Sequence, residues 1–182
     1  DGSKTTFQQE LMSMGNITTA SISKKASAAQ FSALKNQMAG YDLTIVSLHK
    51  TSKYPPNFGI TPTSANFISE IGTMNNVLLV NFGNPYNLKK FASQNSVLLA
   101  YEDQEAHQLK AAQAVFGVIG INGTLPVTVG SQYSAKMGIT TLPIKELVRG
   151  SPEEVGMSSS RLSKIDKIAQ GAVNSGATPG CQ

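Results

Sequence analysis

Cysteine is all but absent: the one thiol, Cys181, stands next to the end of the 182-residue chain, which excludes an intrachain disulfide framework and a Cys-rich zinc site. Tryptophan is missing, and histidine occurs only as His49 and His107. No apolar run approaches the roughly 20 residues of a membrane-spanning helix. No charged start followed by an apolar stretch marks a signal peptide. Charge of one sign is nowhere concentrated. Fifteen basic and eleven acidic residues leave a formal +4, spread between Lys4 and Lys167 with no run to track a phosphate backbone, so no nucleic acid partner is expected. GxxxxGK[ST], HExxH, CxxC and GxSxG are all lacking, which removes the common phosphate, zinc and serine-hydrolase signatures. Neither a metal nor a cofactor is expected. Gly117, Gly120 and Gly123 come after a helical segment with GxxGxxG spacing, which is not a dinucleotide fingerprint.

What is present is a foldable composition. Apolar residues make up 40% and charged residues 14%, too apolar and too weakly charged for disorder, and the length suits one α/β domain plus a tail. Between Asn16 and Val129, apolar runs alternate with amphipathic ones, the pattern of a doubly wound, mostly parallel sheet of flavodoxin-like shape. The spacing predicts strands at Ile17 to Ile22, Leu43 to Leu48, Val77 to Phe82, Val97 to Tyr101 and Leu125 to Val129. The near-continuous runs at Leu43 to Leu48 and Val77 to Val80 are expected to be central, with helices on both faces. Helices fit the gaps. One runs from Ala28 to Met38 with Phe31, Leu34 and Met38 on a stripe, and one from Thr63 to Ile71 between Pro62 and Gly72. A third runs from Gln104 to about Phe116, with Leu109, Ala112 and Phe116 inward and Gly117 as the stop.

Beyond Val129, residues Ser131 to Arg149 read as a tail wrapped over the domain. A boundary then separates residues 1–150 from a linker and new helix in 151–182, where Leu162, Ile165, Ile168 or Ala169, and Val173 fall at helical spacing. The start at Asp1-Gly2-Ser3 and the stop at Gly180-Cys181-Gln182 read as those of a piece of a longer chain.

In a doubly wound sheet a site is expected at the carboxyl ends of the strands. The residues there are His49, Lys50 and Tyr54 after the second predicted strand, Asn84 and Tyr86 after the third, and Glu102 and Asp103 after the fourth. Each has a plain reading beside the functional one. His49 is chemically able to act as a base or ligand, but its own loop holds no second ligand or carboxylate and it reads first as a polar loop residue. Gly83-Asn84-Pro85 reads as a tight turn. Asp103 suits the N-cap of the following helix, where the dipole also favours Glu102 and Glu105. Asn16-Ile17-Thr18 and Asn122-Gly123-Thr124 match the glycosylation pattern, which arises often by chance.

The stretch Ala111-Ala112-Gln113-Ala114-Val115-Phe116-Gly117, followed by Gly123-Thr124-Leu125-Pro126-Val127-Thr128, resembles the signature near the end of the C-terminal domain of glycoside hydrolase family three. Asn81-Phe82-Gly83-Asn84-Pro85-Tyr86 and Tyr101-Glu102-Asp103 look like that family's strand ends in the same order, over about Thr6 to Leu147. The resemblance implies an α/β sandwich packed on a (β/α)8 barrel that supplies the aspartate nucleophile. Where the family's glucosidases carry an acid/base glutamate, this chain reads His49-Lys50-Thr51. That departure resembles the β-N-acetylglucosaminidase branch, in which this domain supplies no catalytic group.

The implied function is a non-catalytic domain with its own catalytic barrel as partner, a carbohydrate ligand possible at the strand-end loops, and no activity alone. The runner-up is a flavodoxin-like module for a nucleotide or phosphate. The same comparison implies a first strand preceding Asp1, whose loss leaves a gap to be filled by a rearranged C-terminal segment or by a second copy in a homodimer. The tail, Ser151-Pro152-Glu153-Glu154-Val155-Gly156-Met157 with Arg161-Leu162 and Gly176-Ala177-Thr178-Pro179-Gly180, resembles the opening of a serine β-lactamase-like domain. Its nucleophile motif lies further on, and Ser21-Ile22-Ser23-Lys24 fits SxxK by coincidence. Such a fusion implies an exported bacterial parent, in the periplasm or cell envelope.

Overall fold

The computed structural model describes residues 4–74, 76–91, 93–144 and 151–178. The end of the expected tail at Arg149, the Pro179-Gly180 part of the second resemblance and Cys181 lie outside them. The chain divides into two compact units, Asp1–Ile144 and Lys145–Gln182.

In the first unit, three parallel strands, β1 (Thr44–Leu48), β2 (Val77–Asn81) and β3 (Val97–Leu99), pair in the order β1-β2-β3. The register sets Thr44 against Val77 and Leu79 against Val97. Side chains alternate between two apolar layers, as period two requires. Ile45, Leu78, Val80 and Leu98 join Phe7, Leu11, Phe82, Ala111 and Ala112 on one face. On the other, Val46, Leu48, Val77, Leu79, Val97 and Leu99 join Phe31, Met38, Phe67, Ile68 and Ile71.

The helices supply those layers. α1 (Thr6–Met14) and α4 (Glu105–Val115) pack together on the first face, and α2 (Ala28–Met38) and α3 (Pro62–Ile71) serve the second. α1 and α2 each start with a reciprocal capping box, Thr5 with Gln8 and Ser27 with Gln30, which satisfies two orphan donors apiece. α3 begins with Pro62 at its first turn and a Thr61 cap. α4 ends at Gly117, whose φ of +70° is the left-handed stop.

Several expectations are corrected. Ile17 to Ile22 forms no strand: Ile17 reaches the core, but residues 20–23 are exposed, and the Ala20 carbonyl accepts the Gln8 side chain instead of a ladder partner. Among the described residues the Leu43 to Leu48 run is therefore an edge strand, half-buried, and β2 is central. Its apolar character reflects cover on both faces rather than a neighbour on each side. Leu125 to Val129 forms no strand either. Pro126 lacks a donor, and the segment turns back on itself, with Leu125 bonded to Met137 and Lys136, and Val129 bridged to Tyr133. α4 presents Gln108, Ala111 and Ala112 inward, with Phe116 exposed and Leu109 only partly buried. The small alanines let α1 approach closely and place Phe7 and Leu11 against the sheet. Gly83-Asn84-Pro85 leads into a 3-10 helix, Pro85–Lys90, capped by Asn84.

The second unit contains a 3-10 turn at Pro152–Val155 and α5 (Ser159–Asn174). Glu153 takes the Ser159 backbone N–H at 2.8 Å and its hydroxyl at 2.9 Å. These bonds, the backbone one foremost, hold its carboxyl below the ordinary glutamate value.

Candidate functional site

The carboxyl ends of the three strands converge on one side-chain cluster. β1 runs directly into His49, and β3 leads through Tyr101 to Asp103 just before α4. The His49 Nδ1 lies 2.7 Å from Asp103 Oδ1, across 54 positions of sequence. The same carboxylate accepts the Lys50 backbone N–H at 2.6 Å and the Gln108 Nε2 at 2.8 Å. Gln108 in turn accepts the Phe7 N–H at 3.1 Å, an orphan donor in the first turn of α1. Asp103 is therefore not the N-cap of α4. That position falls to Gln104, which makes no capping bond, because the carboxylate is drawn away to the imidazole.

The His49 ring stacks on Phe82 at 4.7 Å between centroids and lies 6.4 Å from Phe7. Side-chain exposure is 17% for His49 and 21% for Asp103. Its Nε2 is 3.1 Å from the Ser47 hydroxyl. The ring thus bridges the carboxylate at Nδ1 and the hydroxyl at Nε2.

Hydroxyl, imidazole and carboxylate thus follow one another as in a hydrolase triad, but a triad is defined by roles as well as distances. Ser47 lies within β1 on the face covered by α1 and α4, and neither of the two described clefts is lined by Ser47, His49 or Asp103. The cluster ties the end of β1 to the end of β3 and to the starts of α1 and α4. Backbone conformation agrees with such a clamp. Lys50 has φ +51° and Tyr101 φ +65°, conformations that non-glycine residues hold only where surrounding contacts impose them.

Two loops rise from this base. Residues 51–59 close on themselves through Ser52 N–H to the Phe58 carbonyl and contain a cis Pro55-Pro56 bond. The loop after β2 rests on two fully buried asparagines: Asn81 Nδ2 donates to the Asn84 carbonyl, and Asn87 Nδ2 to Asn81 Oδ1. Asn84 joins the loops by donating to the Lys53 carbonyl at 3.5 Å. Gly83 is required by close approach, since a Cβ there would lie 2.1 Å from Thr51 Oγ1. Tyr54 is 68% exposed and Tyr86 48% exposed.

Of the residues expected at the site, the structure joins His49, the Lys50 backbone and Asp103 in one cluster. Tyr54, Asn84 and Tyr86 stand on the adjoining loops, and Glu102 is exposed outside the bonded network. Sequence reasoning missed Ser47, Phe7, Gln108 and Asn87. Ser47 carried a signal, as the residue two before His49 on the same strand face. Compared with known protein families, characterised proteins and solved structures, the chain matches none. No helix among the described residues is long and apolar enough to cross a membrane, and no group of three or more potential metal ligands is found among them.

Proposed function

We propose that residues 4–144 are the non-catalytic C-terminal α/β domain of a β-N-acetylglucosaminidase-like enzyme of glycoside hydrolase family three. In this reading the domain packs on a catalytic barrel and lends its strand-end loops to the substrate rim. The observation that carries it is the pair of exposed rings, Tyr54 and Tyr86, on loops joined by Asn84 above the His49–Asp103 clamp. Aromatic rings pack on the apolar faces of sugars, and Lys50 and Asn84 offer donors to hydroxyls.

Asp103 is poorly placed to serve as acid or nucleophile, because three donors already occupy its oxygens. Retaining hydrolysis calls for two carboxyl groups about 5 Å apart. Both catalytic groups belong to the barrel in this reading.

The test is to assay the 182-residue chain on an aryl N-acetylglucosaminide and to titrate it with a chitooligosaccharide while following backbone amide resonances. The expected result is no turnover, with saturable shifts at Tyr54, Asn84 and Tyr86 that Tyr54→Ala and Tyr86→Ala each weaken. Turnover by the chain alone overturns the proposal. Thermal stabilisation by a nucleotide or flavin, with no response to the glycan, replaces it with the phosphate-binding alternative.

A further inference from the structure

A second candidate site lies on the opposite edge of the sheet from β1. A cleft of about 260 Å³ runs along β3, walled by residues 98–101, α4 and the 119–123 segment. Leu98, Ala111, Ala114, Ile119 and Ile121 give it an aliphatic lining. The ladder fixes which main-chain groups face it. Leu79 N–H bonds to the Ser96 carbonyl and Ala100 N–H to the Asn81 carbonyl, so residues 96, 98 and 100 turn toward β2 and Leu99 turns away. Among the described residues no hydrogen bond takes up the Leu99 N–H or C=O, which leaves an open β-edge facing an apolar cleft.

Lys110 is the charged side chain of the lining. His107 and Lys110 line the cleft, and no acidic residue does. His107 Nδ1 is buried without a partner. Lys110 Nζ holds only the Gln113 side chain among described groups, at 3.1 Å.

An unpaired edge amide, a branched aliphatic pocket and an ammonium with no internal anion specify one ligand chemistry. We infer that this cleft binds a carboxylate on a branched aliphatic residue whose nitrogen is acylated. The source is either a free N-acyl amino acid or the C-terminal residue of a peptide. The carboxylate meets Lys110, the side chain fills the space between Ile119 and Ile121, and the amide pairs with the Leu99 edge.

The experiment is a titration of the isotope-labelled full chain with N-acetyl-leucine, N-acetyl-leucinamide and acetyl-Ala-Ala-Leu. Saturable shifts at the Leu99 and Ile121 amides are expected from the two acids. Binding weakens about tenfold when the carboxylate is amidated or in Lys110→Gln, as the loss of a charge-assisted hydrogen bond requires. Tighter binding of the tripeptide identifies a peptide C-terminus, and equal binding identifies the free acyl amino acid. No saturable shift at those amides from either acid, or equal binding of acid and amide, overturns the inference.

Discussion

Replacing Asp103 by asparagine tests the reading of the strand-end cluster as a clamp. Three donors converge on that carboxylate: His49 Nδ1 at 2.7 Å, Lys50 N–H at 2.6 Å and Gln108 Nε2 at 2.8 Å. A hydrogen bond to a charged group contributes roughly 1.5–3 kcal/mol. With 17% and 21% of the two side chains exposed, the lower end applies. Asparagine keeps one acceptor oxygen and turns an NH2 toward a remaining donor, so between one and two of the three bonds are lost. The expected destabilisation is about 1.5–3 kcal/mol, a melting-temperature drop of about 3–12 °C for a chain of this size.

Urea unfolding followed by far-ultraviolet circular dichroism measures it. A double-mutant cycle with His49→Ala isolates the pair, with an expected coupling of about 1 kcal/mol or more. An Asp103→Asn variant within about 0.5 kcal/mol of the parent, or a cycle that is simply additive, refutes the clamp.

Three further outcomes are expected. Gly83→Ala places a methyl 2.1 Å from Thr51 Oγ1 and 3.0 Å from Asn87 Nδ2; it destabilises by about 1–3 kcal/mol, and adding Thr51→Ala restores part of the loss in the same urea assay. Tyr133 donates its hydroxyl to the Phe91 carbonyl at 2.9 Å, and burial pushes its phenol above the ordinary value of 10.0. Its neutral form is the one the fold holds, so its contribution is complete below that value and is lost as pH rises through the higher folded value. Tyr133→Phe costs about 1 kcal/mol and flattens the alkaline limb of a stability-against-pH curve. Glu153, held low by Ser159, acts in the opposite sense: its support of α5 is present above the ordinary glutamate range and fades as pH falls through its lowered value. Glu153→Gln removes that acid-limb transition from the Ser159 amide resonance.

The sequence alone determined the elements whose signals are local. Ala28–Met38 is legible from the Phe31, Leu34 and Met38 stripe, Thr63 to Ile71 from Pro62 before it and Gly72 after it, and the end of α4 from Gly117, because helix period and stop chemistry act within a few residues. α1 was legible too, in the Thr5–Gln8 capping box and the Phe7, Leu11 pair, signals that a search for strands passes over. That the loops after the strands lie together at one end of the sheet followed from the α/β alternation. Tertiary structure alone decided the rest. Whether Ile17 to Ile22 and Leu125 to Val129 become strands depends on a neighbour with a free edge in register, and an apolar run does not contain that information. The meeting of His49 with Asp103, 54 residues apart, depends on β1 and β3 flanking β2. A carboxylate that sequence assigned to a helix cap found a stronger partner because the sheet brought an imidazole within reach.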